Sequence, residues 1–337
     1  MLCFYPLASD VRDRLRSLSP ALDIVYMEPD AQSSVDAMRD ETVEALLANY
    51  CPTDPRRVPS LRWLAMVGAG VEHLRAIDPW SRGITVTNGS GLHAVSIAEY
   101  AMAGMLAFSQ KSAERRQNQT AHGWPAAWTE DWKGLLGTSL RGRTLTIVGY
   151  GSIGRAVAGA ARGFGMRVIA VKARPSLRSD LGYAAPGVGD PDGVIPERIV
   201  GTPEIATCFA ESDYVVLAMP LTKSTDRIID RTTLAALPKH SVLINVARGK
   251  VLDEDALIDV LRRGDIRGAV LDVASTEPVP ADSAWWDVPN LVLTPHVSAI
   301  NDPVGWWSLV AGLMIENLSR YADGRELVNV VDDAAGY

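Results

Sequence analysis

The chain has 337 residues, enough for about two domains. It is 47% hydrophobic and 22% charged with a formal net charge of −7, a globular balance that argues against a nucleic-acid or anionic-membrane binder. Three scattered cysteines, Cys3, Cys51 and Cys208, show neither metal spacing nor a disulfide framework, so the sequence points to no metal and to a reducing, cytoplasmic compartment.

The segment MLCFYPLASD has no basic region ahead of its apolar run and does not resemble a signal peptide. No uninterrupted apolar stretch reaches about 18 residues, so no membrane span is expected. LCFYPL, DIVYM, EALLAN, LRWLAMV and ITVTN are short, strand-forming runs separated by helix-compatible stretches such as SDVRDRLRSL. Alternation of this kind predicts a parallel sheet covered by helices on both faces. SIAEYAMAGMLAFSQKSAERRQNQ then reads as one long helix over about 95–120, apolar nearly all round in its first half, suited to a core or a subunit interface.

A second series follows: TLTIVGYG, MRVIAV, DYVVLAM, SVLINVA, GAVLDV and LVLTP. These runs are apolar throughout, as expected of strands buried on both faces. The stretch 182–203, rich in Gly and Pro, reads as an irregular surface insertion. VGWWSLVAGLMIENLSRYADG reads as an amphipathic helix stopped by Gly324.

Gly149-x-Gly151-x-x-Gly154 lies between a predicted strand and an Ala-rich helix, the context in which this spacing binds a dinucleotide. Gly149 permits the tight turn, Gly151 the approach of a pyrophosphate, and Gly154 close helix–sheet packing. The helix N-terminus supplies free N–H groups for the phosphates. In such a unit a carboxylate about twenty residues on binds the adenosine ribose and selects NAD. Here, 18 residues past Gly154, the chain reads Lys172-Ala173-Arg174-Pro175-Ser176, with Arg178 following and no acid before Asp180. Lys172, Arg174 and Ser176 offer donors suited to a 2′-phosphate. NADP(H) is therefore expected to be preferred over NAD(H), with NAD(H) still usable; the other reading leaves these as solvated loop charges and the cofactor as weakly held NAD.

Three later strand ends carry ionisable groups: Arg248 in INVARGKV, Glu277 in LDVASTEP and His296 in LTPHVSA. Ligands of open α/β sheets sit beyond the carboxyl ends of the strands. An arginine can grip a carboxylate with two parallel bonds, and a histidine can exchange a proton near neutral pH. Singly, each group could as well serve a surface ion pair or a turn.

Together these motifs resemble the D-isomer-specific 2-hydroxyacid dehydrogenases, the family containing glyoxylate/hydroxypyruvate reductases, over almost the full length. MVGAGVEHL (66–74) is similar to the family's substrate-carboxylate loop, and TNGSGLHAVSIAEYAM (87–102) to its crossover into the cofactor domain. GYGSIG, MPLTKSTDRII, NVARG, LDVASTEP and TPHVSA follow in the family's order, with Glu277 29 residues after Arg248 and His296 19 further on.

The resemblance implies an α/β fold of two Rossmann-like or flavodoxin-like parallel-sheet domains with the active site in the cleft between them. The substrate domain would span 1–92 plus 298–337, and the cofactor domain 93–297. His296 would protonate the carbonyl oxygen of a 2-oxo acid, Glu277 would support the imidazole, and Arg248 with the N–H groups of Ala69 and Gly70 would bind the substrate. Ser152, Ile153, Pro220, Thr225, Val246, Ala247 and Asp272 would line the cofactor path with the glycines, Arg248 and His296, Asp272 lying where the family contacts the nicotinamide carboxamide. A homodimer through 95–120 is also implied, with no nucleic-acid or membrane partner.

The chain departs from the family in the length of 182–203, in the bulk of Trp306 and Trp307, and in the acid missing at Lys172. Either tryptophan would line the substrate pocket or pack its helix against its own domain. A non-catalytic, corepressor-like binding protein of the same fold is the alternative.

Overall fold

The computed structural model describes Leu2–Cys3, Asp13–Arg14, Ser17, Asp23, Val25–Tyr26 and residues 31–180, 182–299 and 303–334. Most of the expected helical stretch SDVRDRLRSL and most of LCFYPL lie outside the described residues. The chain divides into two units: Met1–His93 with Gly182–Pro186 and Asp302–Tyr337, and Ala94–Leu181 with Gly187–Asn301.

In the first unit the strands are β1 (Leu2–Cys3), β2 (Val25–Tyr26), β3 (Ala45–Leu47), β4 (Trp63–Ala65) and β5 (Thr85–Thr87). They form one parallel sheet in the order β2-β1-β3-β4-β5. Alternate residues of a strand face opposite ways. Leu46, Leu64 and Val86 therefore enter one apolar cluster, while Ala45, Leu47, Trp63 and Ala65 enter another with Val310, Leu313, Met314 and Leu318 of the helix Pro303–Ala322. That helix ends as expected, with Gly324 left-handed at φ 66° and Arg325 N–H bonded back to Arg320 O.

In the second unit β6 (Thr144–Val148), β7 (Arg167–Val171), β8 (Arg198–Val200), β9 (Tyr214–Leu217), β10 (Val242–Asn245), β11 (Gly268–Leu271) and β12 (Leu291–Leu293) pair in parallel. Their order is β12-β11-β10-β9-β6-β7-β8. Val215, Leu217, Leu243 and Leu271 pack on one face with Phe209, Leu257 and Leu261. Leu145, Ile147, Val216, Ile244 and Val270 pack on the other with Ala101, Met105, Val157 and Ala161. Each such leucine or valine contributes about 1.5–3 kcal/mol on burial. The chain turns to opposite sides of the sheet from β6 and β9, so their carboxyl ends form the switch point at which such sheets bind ligands.

Two local readings need correction. The single helix expected near 95–120 is two, Ala94–Ser109 and Ser112–Thr120. Lys111 between them is left-handed with φ 52°, a conformation that costs a non-glycine residue about 1–2 kcal/mol. Tertiary partners offset this cost: Thr138 N–H donates to Ser109 O at 2.7 Å, and Lys111 Nζ donates to Gly134 O at 2.6 Å. The stretch 182–203 is not irregular throughout, since its Arg198–Val200 is the edge strand β8 and its Gly182–Pro186 belongs to the first unit.

Candidate active site

In the second unit the charged groups gather at the carboxyl ends of three neighbouring strands, β10, β11 and β12. His296 Nδ1 lies 2.8 Å from Glu277 Oε2. Glu277 is aimed from its other oxygen, which accepts Ala274 N–H at 2.9 Å. Both side chains keep a large exposed fraction, 45% for His296 and 37% for Glu277. With its Nδ1 against a carboxylate, the ring presents Nε2 as the atom free to exchange a proton.

His296 sits on a strained turn with φ 54°. Such a backbone persists only where its surroundings over-determine it. Asp272, 1% exposed, does so here. Its Oδ1 accepts Thr294 Oγ1–H at 2.6 Å and Val297 N–H at 2.9 Å, and its Oδ2 accepts Ser298 N–H at 2.9 Å. His296 N–H donates to Asp272 O, and Tyr100 Oη lies 2.6 Å from Thr294 Oγ1. Burial raises the Tyr100 phenol above its ordinary pKa. Asp272 is thus the post of the histidine turn, a role the sequence reading missed because its partners lie 22 to 26 residues away.

Arg248 follows β10 on a turn built by buried Asn245, whose Oδ1 accepts Ala247 N–H at 3.0 Å and whose Nδ2 donates to Arg248 O at 3.1 Å. This side-chain turn was readable from the Asn in NVARG. Val246 and Ala247 are buried behind it. The next residue, Gly249, lets the turn abut the Glu277 loop: a Cβ there would lie 2.0 Å from Ala274 C.

The glycine motif occupies the β6 end. Gly149 is left-handed at φ 100°, and a Cβ on it would lie 2.5 Å from Ala218 C and Met219 N. A Cβ on Gly154 would lie 2.2 Å from Gly149 O, so the helix Ser152–Gly163 touches the turn only through hydrogen. Gly151, at that helix's N-cap, has no atom within 4 Å of the position a Cβ would take. The backbone there is open to a phosphate, and Ser152 and Ile153 begin the helix half-buried. Pro220 and Thr225 follow β9; the Thr225 hydroxyl donates to Pro220 O at 2.7 Å and accepts Thr222 N–H at 2.7 Å, which closes that turn.

Beyond β7 the structure divides the basic group. Lys172 Nζ donates to Leu177 O at 2.5 Å and closes the loop on itself. Burial, with Arg155 nearby, lowers the pKa of this ammonium. Arg174, Ser176 and Arg178 are exposed.

In the first unit Ala69 and Gly70 lie on a fixed loop. Asn49 Oδ1 accepts Gly68 N–H at 3.0 Å, Asn88 Nδ2 donates to Ala69 O at 2.9 Å, and Gly89 N–H donates to Gly68 O at 3.0 Å. Trp306 Nε1 donates to His93 Nδ1 at 3.1 Å, and both Trp306 and Trp307 pack against the apolar cluster around Trp63. Among the described residues no three His, Cys, Asp or Glu side chains are grouped to hold a metal, and no helix is long and apolar enough to cross a membrane.

A glyoxylate reductase of Korarchaeum cryptofilum is 33% identical over 92% of this chain and 89% of that protein. The crystal structure of a D-isomer specific 2-hydroxyacid dehydrogenase from Xanthobacter autotrophicus Py2, in complex with NADPH and MES, superposes with a TM-score of 0.77 at 26% identity, all of both chains covered. An NADPH-dependent glyoxylate/hydroxypyruvate reductase from Sinorhizobium meliloti, in complex with NADP and malonate, superposes with a TM-score of 0.68 at 28% identity, covering 98% of this chain and 95% of that one. Residues 102–298 match the NAD binding domain of D-isomer specific 2-hydroxyacid dehydrogenases, and it is to this family of NAD(P)-dependent oxidoreductases acting on CH–OH groups that the chain belongs.

Proposed function

We propose that this enzyme reduces a small 2-oxo acid to the D-2-hydroxy acid, or runs the reverse oxidation, and prefers NADP(H) over NAD(H). The observation that carries the reading is the 2.8 Å contact between His296 Nδ1 and Glu277 Oε2 beside the Arg248 turn. Relatives named glyoxylate reductase and glyoxylate/hydroxypyruvate reductase support a short substrate.

Glu277 keeps Nδ1 as a donor, so Nε2 delivers its proton to the carbonyl oxygen of the oxo acid. Arg248 grips the substrate carboxylate with its planar fork. In the first unit the N–H groups of Ala69 and Gly70 are the donors assigned to the substrate, since the carbonyls of Gly68 and Ala69 are already committed within the loop. The open backbone at Gly151, with Gly149, Ser152, Ile153 and Gly154, fits a dinucleotide's pyrophosphate; Pro220 and Thr225 follow β9, Val246 and Ala247 follow β10 and Asp272 follows β11, at the carboxyl ends of the neighbouring strands. The nicotinamide, when bound, supplies the hydride.

The cofactor preference rests on Arg174 and Ser176, exposed on the loop after β7, with Lys172 at its root and no carboxylate in that stretch. Neighbouring structures that hold NADPH or NADP support it. One charge-assisted bond contributes about 1.5–3 kcal/mol, roughly ten- to a hundredfold. A panel of 2-oxo acids assayed with both cofactors tests the whole reading. Turnover of glyoxylate or hydroxypyruvate with higher kcat/KM for NADPH supports it, and no turnover of any oxo acid overturns it. Arg174→Ala should raise KM for NADPH while NADH kinetics hold; equal effects on both would remove Arg174 from the 2′-phosphate.

We also infer a homodimer through the 95–120 helix region. Just beyond it Trp124 and Trp128 are 97% and 76% exposed, an unusual position for large apolar rings in a monomer. Light scattering at twice the chain mass supports this, and a monomer mass overturns it.

A further inference from the structure

Arg155 is a buried arginine that the reaction does not use. It lies on the dinucleotide helix, one residue past Gly154, and its side chain is 3% exposed. An arginine is almost never fully buried unless paired, and the partners here all lie outside its own helix. Its guanidinium donates to Arg178 O on one side and to Asp190 O on the other. Asp180 lies 3.3 Å from its Nε, and the Tyr150 ring lies 4.8 Å below it.

These contacts join two segments that have no strand or helix of their own. One is the loop 172–180 beyond β7, and the other is 187–195 of the insertion. Asp190 organises the second: its carboxylate accepts Tyr150 Oη–H at 2.7 Å, Val194 N–H at 2.9 Å and Ile195 N–H at 3.0 Å. Asp180 N–H donates to Pro191 O at 2.9 Å, and a Cβ on Gly193 would lie 2.6 Å from Arg178 O, so the two segments also meet directly. Val188 and Ile195 anchor the insertion in the apolar cluster on that side of the sheet.

We propose that Arg155 is a positioning residue for cofactor choice, and that the segment 187–195 exists to buttress the loop carrying Arg174 and Ser176. The proposal rests on the reading of that loop as the 2′-phosphate contact. Lys172 closes the turn 172–177 on itself through Leu177 O, and Arg155 fastens the very next residue to the dinucleotide helix through Arg178 O. Arg174 lies within that turn. Without the second tie Arg174 must be ordered anew each time a 2′-phosphate binds, and that cost falls on NADPH alone.

The test is a kinetic cycle of wild type, Arg155→Lys, Arg174→Ala and the double variant, with kcat/KM measured for NADPH and NADH against glyoxylate. Arg155→Lys keeps the charge but loses the fork that reaches both carbonyls. It should lower the NADPH:NADH ratio about tenfold, the loss of one charge-assisted contact. NADH kinetics should hold, and the ratio should fall no further in the Arg174→Ala background. Should Arg155→Lys fail to fold, Tyr150→Phe removes the 2.7 Å bond to Asp190, keeps the ring under Arg155 and should move the ratio in the same direction. Equal losses for both cofactors, or effects that add to those of Arg174→Ala, overturn the proposal while leaving the 2′-phosphate reading intact. A wild type without NADPH preference overturns both.

Discussion

Replacing Gly249 by alanine should separate Arg248 from Glu277 without touching either side chain. The added Cβ would lie 2.0 Å from Ala274 C and 2.1 Å from Ser275 N, whereas ordinary contacts begin at 3.4 Å. The two backbone segments must therefore part by about 1.4 Å, the difference of those figures. Neither neighbour can yield as the end of a flexible side chain could, because both are backbone. The Ala274–Glu277 loop is held as well, by Glu277 Oε1 on Ala274 N–H and by Glu254 on Ser275 N–H at 2.6 Å. A displacement near 1 Å costs about a hundredfold in rate, or about 2.7 kcal/mol of transition-state stabilisation. The overpacking itself costs about 1–3 kcal/mol of stability, which a folded domain survives. The assay is kcat/KM with glyoxylate, with circular dichroism and NADPH binding by fluorescence as controls. Gly249→Ala should lose about two orders of magnitude in kcat/KM while the fold and NADPH binding persist. A folded variant with wild-type kcat/KM would refute the claim that this close approach assembles the site.

Arg248→Lys should raise KM for the oxo acid, because an ammonium supplies a point charge where a planar fork is needed; substrate titration at saturating NADPH reads this, and unchanged KM and kcat exclude Arg248 from substrate binding. Asp272→Asn puts an amide N–H against at least one of the donors on Thr294, Val297 and Ser298. That orphaned buried donor should cost about 1–3 kcal/mol, lowering Tm by roughly 2–10 °C, and kcat should fall with it as the histidine turn loosens; scanning calorimetry showing an unchanged Tm would remove Asp272 as the post of that turn.

What was legible in the sequence was whatever is local. Short apolar runs marked every strand but β8, because most of these strands are buried on both faces and read as near-continuous apolar stretches. Arg198–Val200 escaped notice because three half-buried residues at a sheet edge carry no period. The break at Lys111 was invisible because no residue type there demands a left-handed backbone; bonds from Thr138 and to Gly134 set it. The site followed the same rule. Arg248, Glu277 and His296 stand out as charges at strand ends, and the glycines by their spacing. The groups that aim them do not stand out. Asp272 works through a turn on the next strand, and Arg155 through carbonyls 23 and 35 residues away. Such partners exist only once the sheet has brought its ends together.

The proposed chemistry has His296, held by Glu277, deliver the proton in the reduction of a 2-oxo acid. The most direct measurement is kcat of His296→Gln with glyoxylate and hydroxypyruvate, alongside NADPH affinity by fluorescence titration. Glutamine preserves bulk and polarity but cannot donate a proton as an acid, and general acid catalysis contributes about 10²–10⁴-fold. In the variant kcat should fall by a factor within that range while NADPH binds as in the wild type. A His296→Gln enzyme that retains wild-type kcat would contradict this chemistry.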